Sequence, residues 1–222
     1  MSRLVLKVGG RVAAQAAGDA VKLAADGTEV VVVHGAGPQI SAEMERRGLV
    51  PGFVRGRRVT TPEVLAVVRA SFAEVNAAVC AAIGPRAAGL MGDEIGLRAE
   101  RVPELGLVGE PVPSAPAAVL EALAAGRIPV VAPLAAGPLN VNADEAASAL
   151  AVGLGAERIL FVSDVPGVLL DGDVVGALAA DEADRLLGAG AFEGGIVPKL
   201  VAAVHAARGG VRAAIGETEV LA

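Results

Sequence analysis

Two lysines stand beside glycine pairs in a chain that otherwise carries its positive charge on arginine. Of the 19 basic residues only Lys7, Lys22 and Lys199 are lysines. Lys22 lies in a helix-like stretch and reads as a surface residue. Lys7 leads into Val8-Gly9-Gly10, and Lys199 follows Gly194-Gly195-Ile196-Val197-Pro198. A compact ammonium on a flexible stem serves phosphate chemistry in ways a guanidinium fork does not. A second glycine turn, Gly35-Ala36-Gly37, follows the apolar run ending at Val33-His34. Glycine lets backbone N–H groups come close to phosphate oxygens, and a helix starting just beyond adds a favourable dipole. Chain reversal explains one such turn without any ligand; two of them, one next to Lys7, favour phosphate binding. Neither is a Walker loop, because the lysine precedes the glycines, and neither fits G-x-G-x-x-G.

Other polar clusters have a plain reading beside a sharper one. Asp144, in Asn140-Val141-Asn142-Ala143-Asp144, suits the N-cap of a following helix, and the same cluster is placed to orient lysines or touch a substrate. Arg55, Arg57 and Arg58 form a solvated basic loop or a clamp for a carboxylate. Turn chemistry alone accounts for Ser163-Asp164-Val165-Pro166-Gly167. His34 is a candidate base, but with no second catalytic partner near it in sequence it reads better as a support for the glycine turn. Cys80 sits in an apolar run and reads as a structural thiol; a single cysteine excludes an internal disulfide.

The elements that must position these residues are short apolar runs alternating with alanine-rich segments. Strands are predicted at 4–8, 29–33, 87–90, 128–132, 158–162 and, last, 211–215. Helices are predicted at 19–26, from Pro38 to Arg47, 61–83, 116–125, from Asp144 to about 155, 181–188 and 199–208. Segments 49–60, 92–113 and 171–175 read as hairpins or loops. Continuous apolar strands separated by helices imply a mainly parallel sheet covered on both faces. With 54% hydrophobic residues in a chain of 222, one large α/β domain is affordable. A net charge of −6 and 2% aromatics argue against nucleic acid as a partner. No apolar run is long enough, uninterrupted, to span a membrane, and no signal-peptide pattern follows Met1, so a cytoplasmic protein is expected.

Taken in order, Lys7-Val-Gly-Gly10, Val33-His-Gly-Ala-Gly37, Gly56-Arg-Arg-Val-Thr60, Asn140-Val-Asn-Ala-Asp144, Ser163-Asp-Val-Pro-Gly167 and Gly194-Gly-Ile-Val-Pro-Lys199 resemble the amino acid kinase superfamily. Within it they are most similar to the acetylglutamate kinases of arginine biosynthesis. The resemblance implies a three-layer αβα sandwich of the carbamate kinase-like type. Residues 1–135 would form an N-terminal lobe for the acylamino acid and for dimerisation, and residues 136–222 a C-terminal nucleotide lobe. It further implies that Lys7 and Lys199 stabilise the transferring phosphoryl group while Asp144 holds both lysines. Gly9, Gly10, Gly35, Ala36 and Gly37 would cradle phosphoryl oxygens, with Ala36 and Gly37 also against the substrate. Arg58 would pair with the substrate α-carboxylate and Asn140 with its α-substituent. Asp164, Val165, Pro166, Gly167, Val168, Leu169, Phe192 and Gly195 would line the nucleotide site. ATP would arrive with Mg2+ on its phosphates, without an all-protein metal cage.

The family commonly has three glycines after the histidine, and Ala36 replaces the middle one. If that position requires φ > 0, alanine costs about 1 kcal/mol there. The absence of an N-terminal extension helix implies a homodimer without arginine feedback, and the tail after Gly216 implies a trimmed nucleotide-lobe edge. Two alternatives stay open: a kinase for aminoadipate on an acidic carrier protein docked at the arginine cluster, and a catalytically weak amino-acid or nucleotide sensor.

Overall fold

Alternation along the strands assigns each side chain to one face of a central sheet, and helices cover both faces. The computed structural model describes residues 2–9, 13–162 and 166–222. The first half contains β1 (Arg3–Val8), α1 (Ala13–Ala25), β2 (Glu29–His34) and α2 (Gly37–Arg46). A small hairpin, β3 (Phe53–Val54) and β4 (Arg57–Arg58), precedes the long helix α3 (Pro62–Ile83) and β5 (Ala87–Met91). Then come β6 (Ala99–Arg101), β7 (Val108–Pro111), α4 (Ala117–Ala124), β8 (Ile128–Ala132), β9 (Leu134–Ala135) and β10 (Leu139–Val141). The rest comprises α5 (Ala143–Gly153), β11 (Arg158–Val162), β12 (Leu169–Leu170), β13 (Asp173–Val174) and β14 (Ala177–Ala179). The last elements are α6 (Ala180–Gly188), α7 (Ile196–Arg208), β15 (Arg212–Ile215) and β16 (Thr218–Leu221).

The main sheet runs β14-β16-β15-β11-β1-β2-β8-β5, and every neighbouring pair is parallel except β15–β16. Leu4, Leu6 and Val8, with Val30 and Val32, bury against α1, α2 and α3. Val5, Val31, Val33, Ile159 and Phe161 face the opposite way, onto α4, α5, α6 and α7. Two cores on either side of one sheet make the expected three-layer αβα sandwich. A second, four-stranded sheet, β6-β7-β10-β9, carries Asn140 to the rim of the main one.

Several boundaries depart from the sequence-based expectation. The strand at 212–215 is not the last: Gly216, at φ 55°, turns the chain back into β16, which lies antiparallel beside β15. The short runs 177–179 and 218–221 offer too little length to register as strands on their own; 218–221 pairs with β15 and with 177–179, and 177–179 is held at the sheet edge by that second pairing. The final helix begins at Ile196, so Lys199 lies inside its first turn and not at its start. Helix α5 is capped by Asn142, whose Oδ1 accepts from the N–H groups of Asp144 at 2.8 Å and Glu145 at 3.2 Å. Asp144 is therefore a first-turn residue and not the cap. Helix α3, 22 residues long and apolar, has the length of a membrane span, yet Val64, Val67, Val68, Phe72, Val75 and Val79 bury one face of it in the core.

Candidate active site

The strand order reverses direction at β1: β2 follows it on one side, and β11, far later in the chain, pairs on the other. Crevices at the carboxyl ends of strands around such a point are the usual ligand sites of open parallel sheets. Lys7 lies one residue before the end of β1, paired with Val33 of β2 and Phe161 of β11. Its chain is 5% exposed, and its ammonium lies 2.7 Å from Asp144 Oδ1. The contact is an ion pair whose angle lies outside hydrogen-bond geometry. From α7, Lys199 brings its Nζ to 3.8 Å from the same oxygen and 3.5 Å from the Gly195 carbonyl. One buried carboxylate thus neutralises two ammonium groups, from helices and strands on both halves of the sheet. Its place in the first turn of α5 lets the helix dipole favour its charge.

The turn after β2 is held by the Gly35 N–H bonding the Val8 carbonyl at 3.0 Å, which ties it to the end of β1. Ala36 precedes α2 with φ −141° and offers no side-chain cap, so the first-turn amides of α2 have no partner within their own helix. That negative φ removes the anticipated backbone penalty at Ala36; alanine fits as well as glycine would. Gly9, Gly35, Ala36 and Gly37 line a cleft of about 240 Å³ together with Lys7, Asp144, Arg58 and Asn140. Among the described residues, the charged groups on its walls are Lys7, Arg57 and Arg58 against Asp144, a positive cleft on an acidic protein.

Behind the turn, His34 is fully buried and stacks edge-on against Phe72 with ring centroids 5.9 Å apart. Asn76 donates to the Val130 carbonyl at 2.8 Å, which fixes its amide orientation, and the same nitrogen lies 3.1 Å from His34 Nε2. That ring nitrogen is therefore the acceptor, and the proton of the neutral imidazole belongs on Nδ1, which faces the Gly35 backbone without a well-formed hydrogen bond. Burial pulls the imidazole pKa down to about 4, with the Gly35 backbone opposing. His34 is thus a neutral support for the glycine turn, as its sequence context suggested, and not a base open to the cleft. Cys80, whose thiol burial pushes up, lies 3.6 Å from the Asn76 carbonyl oxygen and belongs to the same scaffold.

Across the cleft, the hairpin of β3 and β4 turns through Arg55 and Gly56, at φ 49° and 77°. Arg58 points inward, 7% exposed. Its guanidinium donates to Ser41 Oγ at 2.9 Å and reaches the Gly37 carbonyl at 3.4 Å and Met44 Sδ at 3.1 Å. The Phe53 ring stacks 4.6 Å from its central carbon. All these partners are neutral, and burial lowers its pKa from the ordinary arginine value. Asn140 donates to Thr60 Oγ1 at 3.0 Å, and that hydroxyl donates to the Arg58 carbonyl at 2.7 Å.

The arginine cluster divides by strand alternation. Arg57 faces away from Arg58 and pairs with Glu145 and Glu110, while Arg55 stays exposed at the tip. Asp164, Val165 and Gly10 lie outside the described residues. Pro166 accepts from the Glu217 N–H at 2.7 Å, and the Val168 N–H donates to Thr218 Oγ1 at 2.8 Å. Val168 is core, Leu169 is exposed, and Phe192 packs with Ile196 against the core; none of them joins Lys7 in the cleft. Ser41, Met44, Phe53, Asn76 and Glu145 escaped the sequence reading, and Thr60 entered it only as the end of the Gly56–Thr60 motif, without a role of its own. Asn76 alone carried a signal, as an amide in the middle of an apolar helix.

Residues 2–216 match the profile of the Amino acid kinase family. This chain belongs to the amino acid kinase family. Among its relatives, the acetylglutamate kinase of Rubrobacter xylanophilus is 44% identical over 225 residues, covering 97% of this chain and 88% of that one. In fold, smu.665 from Streptococcus mutans UA159 superposes with a TM-score of 0.88 at 24% identity, over 99% of this chain and 98% of that one. A carbamate kinase from Giardia lamblia bound to citric acid gives 0.73 at 14% identity, over 99% and 98%. The carbamate kinase-like architecture expected of an amino acid kinase is thereby found.

Proposed function

We propose that this amino acid kinase phosphorylates the side-chain carboxylate of N-acetyl-L-glutamate with ATP, in arginine biosynthesis. The observation that carries the reading is the buried Arg58, which pairs with no carboxylate among the described residues and faces the same cleft as Lys7 and Asp144. A buried guanidinium with neutral partners is a receptor for an incoming carboxylate, which it binds with a fork of N–H donors. The likeness to the Rubrobacter enzyme supports the choice of substrate.

In this mechanism Arg58 holds the substrate α-carboxylate and Asn140 its acetamido group. A carboxylate oxygen attacks the γ-phosphorus as the bond to the bridging oxygen of ADP breaks. The nucleophile is already ionised at neutral pH, so no general base is needed, in keeping with the burial of His34. Lys7 and Lys199 neutralise charge on the transferring group and Asp144 sets their separation. Amides at Gly9, Gly10, Gly35, Ala36 and Gly37 contact phosphoryl oxygens. Positioning and charge stabilisation supply nearly all the catalysis in phosphoryl transfer. Asp164, Val165, Pro166, Gly167, Val168, Leu169, Phe192 and Gly195 border the nucleotide in this reading, Val168 through its backbone.

Among the described residues no group of three or more metal-ligating side chains converges. Mg2+ would therefore be held mainly by nucleotide oxygens, where it offsets phosphate charge. The half of the sheet from β1 to β5 would serve as the acylamino-acid lobe and the half from β11 to β14 as the nucleotide lobe, in a cytoplasmic enzyme. Exposed alanines along α3, at 66, 70, 73, 77 and 81, support a homodimer built on that face, which sedimentation would test. With Arg57 occupied by two glutamates, the arginine cluster gives an acidic carrier protein little to dock on.

The deciding experiment traps acyl phosphate as hydroxamate with N-acetyl-L-glutamate, glutamate and N-acetyl-α-aminoadipate. Turnover with the first, reduced at least ~10²-fold in Lys7→Ala and Lys199→Ala, is expected from the loss of one preorganised charge contact. Turnover only with the longer substrate, or near-wild-type rates in both variants, would refute the assignment.

A further inference from the structure

The hairpin that carries Arg58 has only two residue pairs, Phe53 with Arg58 and Val54 with Arg57, and its Phe53 and Val54 side chains are exposed. A hairpin this short has little stability of its own, so its place over the cleft must come from contacts outside it. Of the contacts on its outer side, three lead to the helices that carry the catalytic groups and one to β7. Arg57 Nε donates to Glu145 Oε1 at 3.1 Å and Oε2 at 3.2 Å. Asn142, the cap of α5, reaches the Gly56 carbonyl at 3.4 Å. Gly56 faces the Pro198 ring, one residue before Lys199: a side-chain carbon at position 56 would meet it at 3.6 Å. Arg57 also meets Glu110 of β7 at 3.0 Å, but that carboxylate is 60% exposed, whereas Glu145 is 17% exposed.

Successive side chains on a strand point to opposite faces. Fixing Arg57 on one side of β4 therefore fixes the direction of Arg58 on the other. The anchor, Glu145, follows Asp144 directly in the first turn of α5. We propose that the Arg57–Glu145 ion pair is a latch that sets the hairpin against α5 and so aims Arg58 at the carboxylate of the acylamino acid. Both act as positioning residues in this proposal: Arg57 reaches the cleft wall with its guanidinium held by Glu145 and Glu110, and the pair couples the substrate-binding hairpin to the helix that organises Lys7 and Lys199. Burial of Glu145, which raises its carboxyl pKa against the pull of Arg57, is sustained by this partner.

The latch rests on the acylamino-acid reading of the cleft, and two readouts separate the two ideas. First, Arg57→Met, Glu145→Gln and the double variant are compared in the hydroxamate assay. Each single change is expected to raise KM for N-acetylglutamate about tenfold, with kcat within about threefold, and the double variant to be no worse than either, because each removes the same interaction. A tenfold change corresponds to about 1.4 kcal/mol. Second, the chain has no Trp or Tyr, so Val54→Trp places a lone fluorophore on the hairpin. Its anisotropy, measured without substrate, is expected to fall when Arg57→Met or Glu145→Gln is added. Glu145→Gln is nearly isosteric and carries the test if Arg57→Met does not fold. An unchanged anisotropy overturns the latch whatever the enzyme's substrate. A changed anisotropy with unchanged KM overturns its role in aiming Arg58. Absence of wild-type turnover would strike the acetylglutamate reading and leave the anisotropy to decide the latch.

Discussion

Replacing Asp144 with asparagine tests the central electrostatic claim, because the change preserves shape and removes only charge. Asp144 Oδ1 lies 2.7 Å from Lys7 Nζ and 3.8 Å from Lys199 Nζ. The Lys7 and Asp144 side chains are 6% and 7% exposed, so water cannot replace the lost anion. Removing one partner of a buried pair typically costs about 3–5 kcal/mol, since it leaves the other charge uncompensated. Two cations share this anion, and Lys199 is the more exposed, so the lower end, about 3 kcal/mol, is the appropriate figure. For a chain of 222 residues that corresponds to a fall in Tm of roughly 6–12 °C. Urea denaturation followed by far-UV circular dichroism suits a protein without tryptophan. Two controls isolate the cause. Sulfate should restore more stability to Asp144→Asn than to the wild type, and Lys7→Met added to Asp144→Asn should recover part of the loss. If Asp144→Asn unfolds within about 0.5 kcal/mol of the wild type, the reasoning is wrong and the lysines are solvated enough to stand alone.

Arg58→Lys keeps the charge but loses the fork and the stack on Phe53; KM for N-acetylglutamate should rise about tenfold or more while KM for ATP changes little, by steady-state kinetics. His34 has its pKa lowered to about 4 from 6.5, so the unfolded chain binds the proton first. Its stabilising contribution is present above pH 6.5 and is lost as pH falls towards 4, by at most about 3 kcal/mol. Denaturation of His34→Gln between these values should show a flatter pH dependence than the wild type, and equal slopes would contradict the burial argument. Gly106 has φ +84°, and a Cβ there would lie 2.4 Å from the Thr60 carbonyl oxygen. Gly106→Ala should destabilise the protein by roughly 1–3 kcal/mol and, through Thr60 and Asn140, weaken substrate binding, read by melting and by KM.

Some of this protein was determined by sequence alone, because the relevant forces are local. Runs such as 29–34 and 158–162 are too apolar to be anything but buried strands, and Thr61-Pro62-Glu63 starts α3 through its own cap, the Thr61 hydroxyl accepting from the Val64 N–H at 3.2 Å. The choice of lysine at 7 and 199 in an arginine-rich chain marked two of the three residues of the charge cluster before any fold was known. What the sequence left open was always a contact between distant segments. Asp144 suited the N-cap of α5 in sequence, but Asn142 takes the cap and the Asp144 carboxylate instead meets Lys7, 137 residues away in sequence. Arg57 and Arg58 are chemically identical neighbours, and only the side of β4 on which each falls makes one a latch and the other a carboxylate receptor. The short strand at 218–221 is made by pairing with β15 on one side and with 177–179 on the other, and 177–179 is a strand only through that pairing. Local periodicity chose the elements; the single direction in which a buried charge can be satisfied was decided by the tertiary structure.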